Sequence, residues 1–263
     1  PGPAPRPPPL RAPPAPPPHA RWLIGTATLI EPTDANPEFA FEAPEPAQLE
    51  LLANPGAERY RIAAEFQLRY HKTIVTTGEQ KSVPALSPDT ALFGLYCGDV
   101  PLATGDGRPV RLSLVAGSTD FFSKEVRDKL PGLRGFAQLE AAAIVPSADG
   151  ALASRTNGAG DVYRFPRADG LPTPWRRVRI DVSAAGVEMC WAASPAARWK
   201  LVARRTPGDL ANDLNRRTEG LGVNLAAHAP LAWNHASSCG VWCRGAAIAV
   251  RNVTVETPPY PPD

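Results

Sequence analysis

The run RYRIAAEFQLR, residues 59–69, constrains the fold more than any other stretch. Tyr60, Ile62, Ala64, Phe66 and Leu68 fall on one side of an extended chain, and Arg59, Arg61, Glu65, Gln67 and Arg69 on the other. Successive side chains of a strand point to opposite faces. The run therefore predicts a strand with one face against a core and the other in water, as in an antiparallel sheet.

Further strand-like runs follow along the chain: ARWLIGTATLI (20–30), FAFE (39–42), TALFGLYCG (90–98), VRLSLVAG (110–117), GFAQLEAAAIV (135–145), DVYRF (161–165), WKLVARR (199–205), GLGVNLAA (220–227) and the closing run up to Val255. RRVRIDVSAAGVEMCW predicts a hairpin, with Val178, Ile180 and Val182 inward, SAAG as the turn, and Val187, Met189 and Trp191 returning. In the closing run the apolar phase changes between Val250 and Val253, which predicts a bulge at Arg251 and Asn252. Two insertions read as short helices. STDFFSKEVRDKL offers Ser118, Thr119 or Asp120 as a cap, then Phe122, Val126 and Leu130. TPGDLANDLNRRTEGLG offers Leu210 and Leu214 on one face and Gly220 as a stop. Many strands with two short helices predict an all-β, antiparallel β-sandwich.

The 263 residues, 43% of them apolar, are enough for one large β domain. Twenty-eight basic residues against 26 acidic ones give a net charge of +2, which advertises neither a nucleic-acid partner nor an anionic membrane surface. Prolines cluster: eleven lie in the first 18 residues and four in the last six. Proline fixes φ and removes a donor, so residues 1–19 are expected to be a stalk of polyproline II or disordered chain. The expected division is a stalk at 1–19, a sandwich at 20–257 and a proline-rich tail at 258–263. No apolar run approaches the ~20 residues of a membrane helix, so no direct membrane insertion is expected of this segment. Any signal or anchor would lie upstream of it.

The pieces around Trp175, 178–182, 186–189, 220–225 and 248–255 resemble the concanavalin A-like jelly-roll modules of bacterial surface proteins. The resemblance is to the 3-keto-glycoside hydrolase-like and LamG-like domains among them, and it covers the last ~90 residues. It implies a jelly roll on the extracytoplasmic side of a bacterial cell, tethered by an upstream segment and engaged in sensing or adhesion. Two connections, HAPLAWNHASSCGVWCRG and RRTPGDLANDLNRRTEG, are longer than the family's own, and long loops at the end of a sandwich are where binding functions are placed.

Those loops and the strands carry several groups capable of chemistry. Residues 228–243 hold His228, His235, Cys239 and Cys243, but their spacing matches no closed zinc pattern, so no structural metal is expected. Cys239 and Cys243 are candidates for a disulfide only if the segment curls, since in a strand their Cα atoms stand about 13 Å apart. Cys97 and Cys190 lie within strand patterns as buried thiols or cross-strand neighbours, and all three full pairings stay open. Glycoside hydrolysis needs two carboxylates ~5–9.5 Å apart. Glu140 and Glu188 each stand alone in their strands and read as solvated positions. No nucleophile elbow and no phosphate loop is present, and no cofactor is implied. Trp233, Asn234 and His235 adjoin in a stretch of loop composition and Trp242 follows. Rings that stack on sugars beside groups that bond hydroxyls make these four the candidate ligand-binding set. The resulting expectation is a non-catalytic module that binds a glycan or a cell-surface protein. A 3-keto-glycoside hydrolase or a related glycoside hydrolase is the alternative, and a spacer without ligand the second.

Overall fold

The computed structural model describes residues 21–25, 28–30, 39–43, 45–71, 91–120, 132, 134–147, 150–156 and 161–258. The strands are β1 (Arg21–Ile24), β2 (Thr28–Ile30), β3 (Phe39–Ala43), β4 (Ala47–Leu52), β5 (Arg59–His71), β6 (Leu92–Ala103), β7 (Pro109–Thr119), β8 (Gly135–Pro146), β9 (Leu152–Thr156), β10 (Val162–Phe165), β11 (Arg176–Ser183), β12 (Gly186–Ala192), β13 (Lys200–Arg205), β14 (Cys239–Arg244) and β15 (Ala246–Glu256). One helix is described, α1 (Pro207–Glu219). The strands form two antiparallel sheets. One has eight strands in the order β1-β4-β14-β6-β7-β8-β10, with β9 also on β8; the other has seven in the order β13-β12-β11-β5-β15-β3-β2. The protein is thus an all-β antiparallel sandwich.

The core lies between the sheets. Tyr60, Ile62, Ala64, Phe66 and Leu68 of β5 are buried there as their alternation requires, against Phe93, Leu95, Leu112, Leu114 and Leu139 of the other sheet. The rings of Phe66 and Phe93 meet across the gap at 6.0 Å. The hairpin pairs Val178 with Trp191, Ile180 with Met189 and Val182 with Val187. The bulge in β15 falls between Arg251 and Thr254, where Asn252 takes φ 51°, and it moves Val253 onto the core side after Val250.

Other expectations need correction. The run 20–30 is two strands that belong to different sheets, separated at Gly25, whose φ of 76° turns the chain. Its Cα also packs so close to the Pro46 carbonyl that a Cβ there would stand 2.4 Å from the oxygen. GLGVNLAA forms no strand: Gly222 takes φ 70°, and only Leu225 pairs, as an isolated bridge to Thr104. Strands β4 and β9 were not expected. The helix α1 begins as read, with Thr206 as N-cap in a capping box with Asp209, Leu210 and Leu214 buried, and the end at Gly220. The other expected helix lies outside the described residues, as do the stalk and most of the tail. Of its candidate caps, Ser118 and Thr119 belong to β7. Asp120 is buried, holding Arg176 Nε at 2.6 Å and the amide of Ala168 at 2.9 Å.

Candidate functional site

The eight-stranded sheet curls. In a flat sheet β9 would lie four strand spacings, about 19 Å, from β14. Instead Arg244 Nη1 of β14 donates to Ser154 Oγ of β9 at 2.6 Å, and the amide of Leu152 donates to Glu45 Oε2, just before β4, at 3.3 Å. The face turned away from the main core is therefore concave. It buries a second apolar cluster, with Ile24, Leu92, Tyr96, Val115, Phe136, Ile144 and Trp242. This is why every residue of β8 is buried: its odd positions enter the main core and its even positions line the concavity.

Polar side chains share that concave face, placed by strand parity and register. Gln48 and Glu50 come from β4, Tyr96 and Asp99 from β6, Arg111 and Ser113 from β7, and Gln138 and Glu140 from β8. A bulge in β6 between Cys97 and Val100, with Gly98 at φ 67°, brings Asp99 onto this face. Arg111 Nη1 donates to Asp99 Oδ2 at 2.6 Å and Gln48 Nε2 to Asp99 Oδ1 at 2.8 Å. Arg21 Nε donates to Glu50 Oε1 at 2.5 Å, and Gln138 Nε2 to Glu140 Oε1 at 2.6 Å. The cluster meets solvent at Arg111 and Arg21, whose side chains are 23% and 67% exposed.

The bonds made here matter less than those left unmade. Asp99 takes the amide nitrogen of Gln48, which leaves Gln48 Oε1 with no hydrogen bond. Tyr96 Oη, Ser113 Oγ, Ser238 Oγ and Trp242 Nε1 are buried without one as well. The Tyr96 hydroxyl lies beside Ser238 and Gln48, yet none of the three oxygens closes a bond of good geometry. A buried polar atom without a partner costs about 1–3 kcal/mol, so five on one face of the sheet are a large concession, against two in the main core, Tyr60 Oη and Trp191 Nε1. Burial raises the pKa of the Tyr96 hydroxyl, which keeps its proton to donate. Burial also raises the pKa of Asp99, against the opposing pull of Arg111 and Gln48.

The four expected ligand-binding residues do not form one site. Trp242 is fully buried in the concave cluster, on a central strand and not in a loop, so its ring faces offer no stacking platform. Trp233 is half-buried and packs on the main core. Its Nε1 donates to the Ser183 carbonyl at 2.9 Å, and its ring lies where a Cβ on Gly98 would come within 2.5 Å. Trp233 thus wedges the β11–β12 turn against the bulge that presents Asp99. Asn234 is exposed and its Oδ1 caps the amide of Ala236 at 3.0 Å. His235 lies by the same turn in a shallow groove with Glu58, Asp181 and Glu188.

All four cysteines are buried free thiols. Cys239 and Cys243 lie in the extended strand β14, on its core side, so the suggested bridge between them is not formed. Burial pushes both thiols up to about 12. Glu140 is buried and not solvated, because the curl closes over the outer side of β8. Glu188, 40% exposed at its side chain, is the solvated position expected. Among the described residues no group of three or more His, Cys, Asp and Glu side chains is arranged to hold a metal.

Fold and surface together define a two-sheet β-sandwich with a polar concave face. No family model matches the chain, and no curated protein does. Solved structures similar to it include a functionally unknown protein from Saccharomyces cerevisiae, at 11% identity and TM-score 0.42 over 91% of this chain and 96% of that one. The exoplasmic/lumenal domain of VIP36 in its Ca2+/Man2-bound form gives 11% identity and TM-score 0.41 over 92% and 84%. The alginate lyase from Klebsiella pneumoniae gives 8% and 0.35 over 86% and 83%. All three likenesses are distant.

Proposed function

We propose that this protein is a binding module for a glycan, taken up on the concave face of the eight-stranded sheet and serving on the extracytoplasmic side of the cell. One observation supports this reading above the rest: Gln48 Oε1, Tyr96 Oη, Ser113 Oγ, Ser238 Oγ and Trp242 Nε1 are buried without hydrogen bonds around one surface. Acceptors, hydroxyls and an N–H so placed match the alternating donors and acceptors of a polyhydroxylated ligand, which would recover in the complex what the free protein forgoes. The site expected at Trp233 moves with this reading. Trp233 becomes a positioning residue for Asp99, and the contacts pass to Gln48, Tyr96 and Ser113.

A hydrolase is the second reading, and Asp99 is the observation that favours it. Its carboxyl lies on the same face with a raised pKa, as a proton donor to a leaving group requires. Against it, Glu50 and Asp99 each already hold an arginine.

The test is a glycan array with the wild type and Tyr96→Phe, thermal stability being followed in parallel. The expected result is glycan binding by the wild type and its weakening in the variant, at unchanged or raised melting temperature. Equal binding by both, or none by the wild type, removes the concave face as the site. Release of reducing sugar by the wild type and not by Asp99→Asn would establish the hydrolase.

A further inference from the structure

We propose that the outer face of the seven-stranded sheet carries a second binding site, a groove centred on Ala63 that takes an acidic sugar, one bearing a carboxylate or a sulfate. From Arg59 to Arg69 on β5 the solvent-facing side chains are large and polar except at Ala63, which lies between Arg61 and Glu65 along the strand. Across the sheet it is flanked by Thr254 and Arg179. The missing side chain leaves a dent in a charged surface. Arg61 and Glu65 are four residues apart, roughly 13 Å in a strand, which is room for a pair of sugar rings. The segment 195–199, between β12 and β13, rises beside the dent and makes it a groove of about 790 Å³, within the ~300–1,000 Å³ usual for small-ligand sites.

The lining supplies what each part of such a ligand needs. Arg177 and Arg179, two residues apart on β11, are both held against the Trp199 ring, at 4.2 and 4.9 Å from its centroid. Arg177 bonds the Pro195 carbonyl at 2.9 Å and among the described residues has no carboxylate partner. Stacking fixes the plane of its guanidinium, so its forked donors are set for an anion before one arrives. Asn252 and Thr254 on the facing wall offer an amide and a hydroxyl to sugar hydroxyls, and the half-buried Trp199 offers the edge of a ring. Four arginines line the groove against two glutamates. That excess suits one or two anionic groups, whereas a nucleic acid would present a phosphate at every step.

The test is affinity electrophoresis of the whole chain through gels holding polygalacturonate, a sulfated galactan or a neutral glucan. The expected result is retardation of the wild type by an acidic polymer, weakened by added salt, and none by the neutral glucan. Which acidic polymer retards it identifies the anion. Arg177→Ala should lower the affinity about tenfold or more, the scale of a lost hydrogen bond to a charged group. Ala63→Leu fills the dent with every charge kept and should lose as much. Arg108→Ala removes an exposed arginine between β6 and β7 of the other sheet and should bind as the wild type does. Failure of the wild type to be retarded by either acidic polymer, equal retardation by the neutral glucan, or unchanged binding in Ala63→Leu overturns the proposal; the last would mean diffuse attraction to a basic surface.

Discussion

The two sheets treat their outward faces in opposite ways. On the seven-stranded sheet the central carboxylates are matched, though arginines remain in excess. Asp181 is clamped by Arg61 at 2.7 Å and Arg179 at 3.3 Å, Glu65 holds Arg251 at 2.8 Å, and Glu188 holds Arg204 at 2.6 Å. On the eight-stranded sheet the curl takes the outward face away from water, and polar atoms there go without partners. The difference follows from solvent. Water satisfies whatever an open face leaves unpaired, so an open face reveals function only through its shape. A closed face must satisfy itself, and each failure to do so is a mark of another demand on it.

That contrast can be broken most forcefully at the tryptophans. Trp242→Ala should cost about 3–5 kcal/mol, as in a main core, because the ring is wholly buried on the concave side. Trp199→Ala should cost much less, since that ring is half-exposed on the open face. Urea denaturation of both compares them directly, and equal losses would erase the distinction. Next come the ion pairs. Arg111→Ala leaves the buried Asp99 carboxylate without its cation, and about 1–3 kcal/mol should be lost once the partial exposure of Arg111 is allowed for. Arg61→Ala should cost less, because Arg179 still holds Asp181.

A smaller effect belongs to the helix cap, which stands outside both faces. Thr206→Ala should cost about 1 kcal/mol. The bond from Thr206 holds the Asp209 pKa below its ordinary value. Stabilisation through a depressed carboxylate is present above the unfolded value and lost as pH falls through the folded one. The gap in melting temperature between wild type and variant should therefore narrow on acidification; a gap that widens would show the cap acting otherwise. The smallest effect has the opposite sign. Tyr96→Phe removes an unpartnered hydroxyl and should leave stability equal or raised by up to ~1 kcal/mol. A clear loss would show that the hydroxyl is bonded in the free protein.

The sequence carried the architecture wherever one residue type repeated with a period of two against water. Strand β5, the β11–β12 hairpin and the β15 bulge are all of that kind. It failed where the outer face is closed off from water. AQLELL, where Gln48 and Glu50 alternate with Ala47, Leu49 and Leu51, was passed over, and GFAQLEAAAIVP reads as a strand but with Glu140 at a solvated position, because a buried outer face leaves the same alternation as a wet one. The concave face was missed as well, because its residues come from five strands and converge only through the curl. A signal was nonetheless there. Gln138 and Glu140 interrupt an apolar strand at i and i+2, and polar residues on one side of an otherwise apolar run are costly unless something uses them. Ala63 gave a second such signal, as the small residue among the large polar ones on the outer side of β5.

The curl itself closes by means unlike those that hold the rest of the sheet. Neighbouring strands are stitched by backbone ladders, but among the described residues β9 meets the β4 and β14 side through side-chain bonds, including Arg244 to Ser154 and Glu45 to Leu152. A seam of that kind can unfasten without any ladder being cut, and such sub-global openings need far less free energy than unfolding. The sandwich is then a split ring with a clasp, in which the clasp sets how often the interior is reached. Amide exchange would time it: the Leu152 amide should exchange well before those of central β7, and more quickly still in Glu45→Ala.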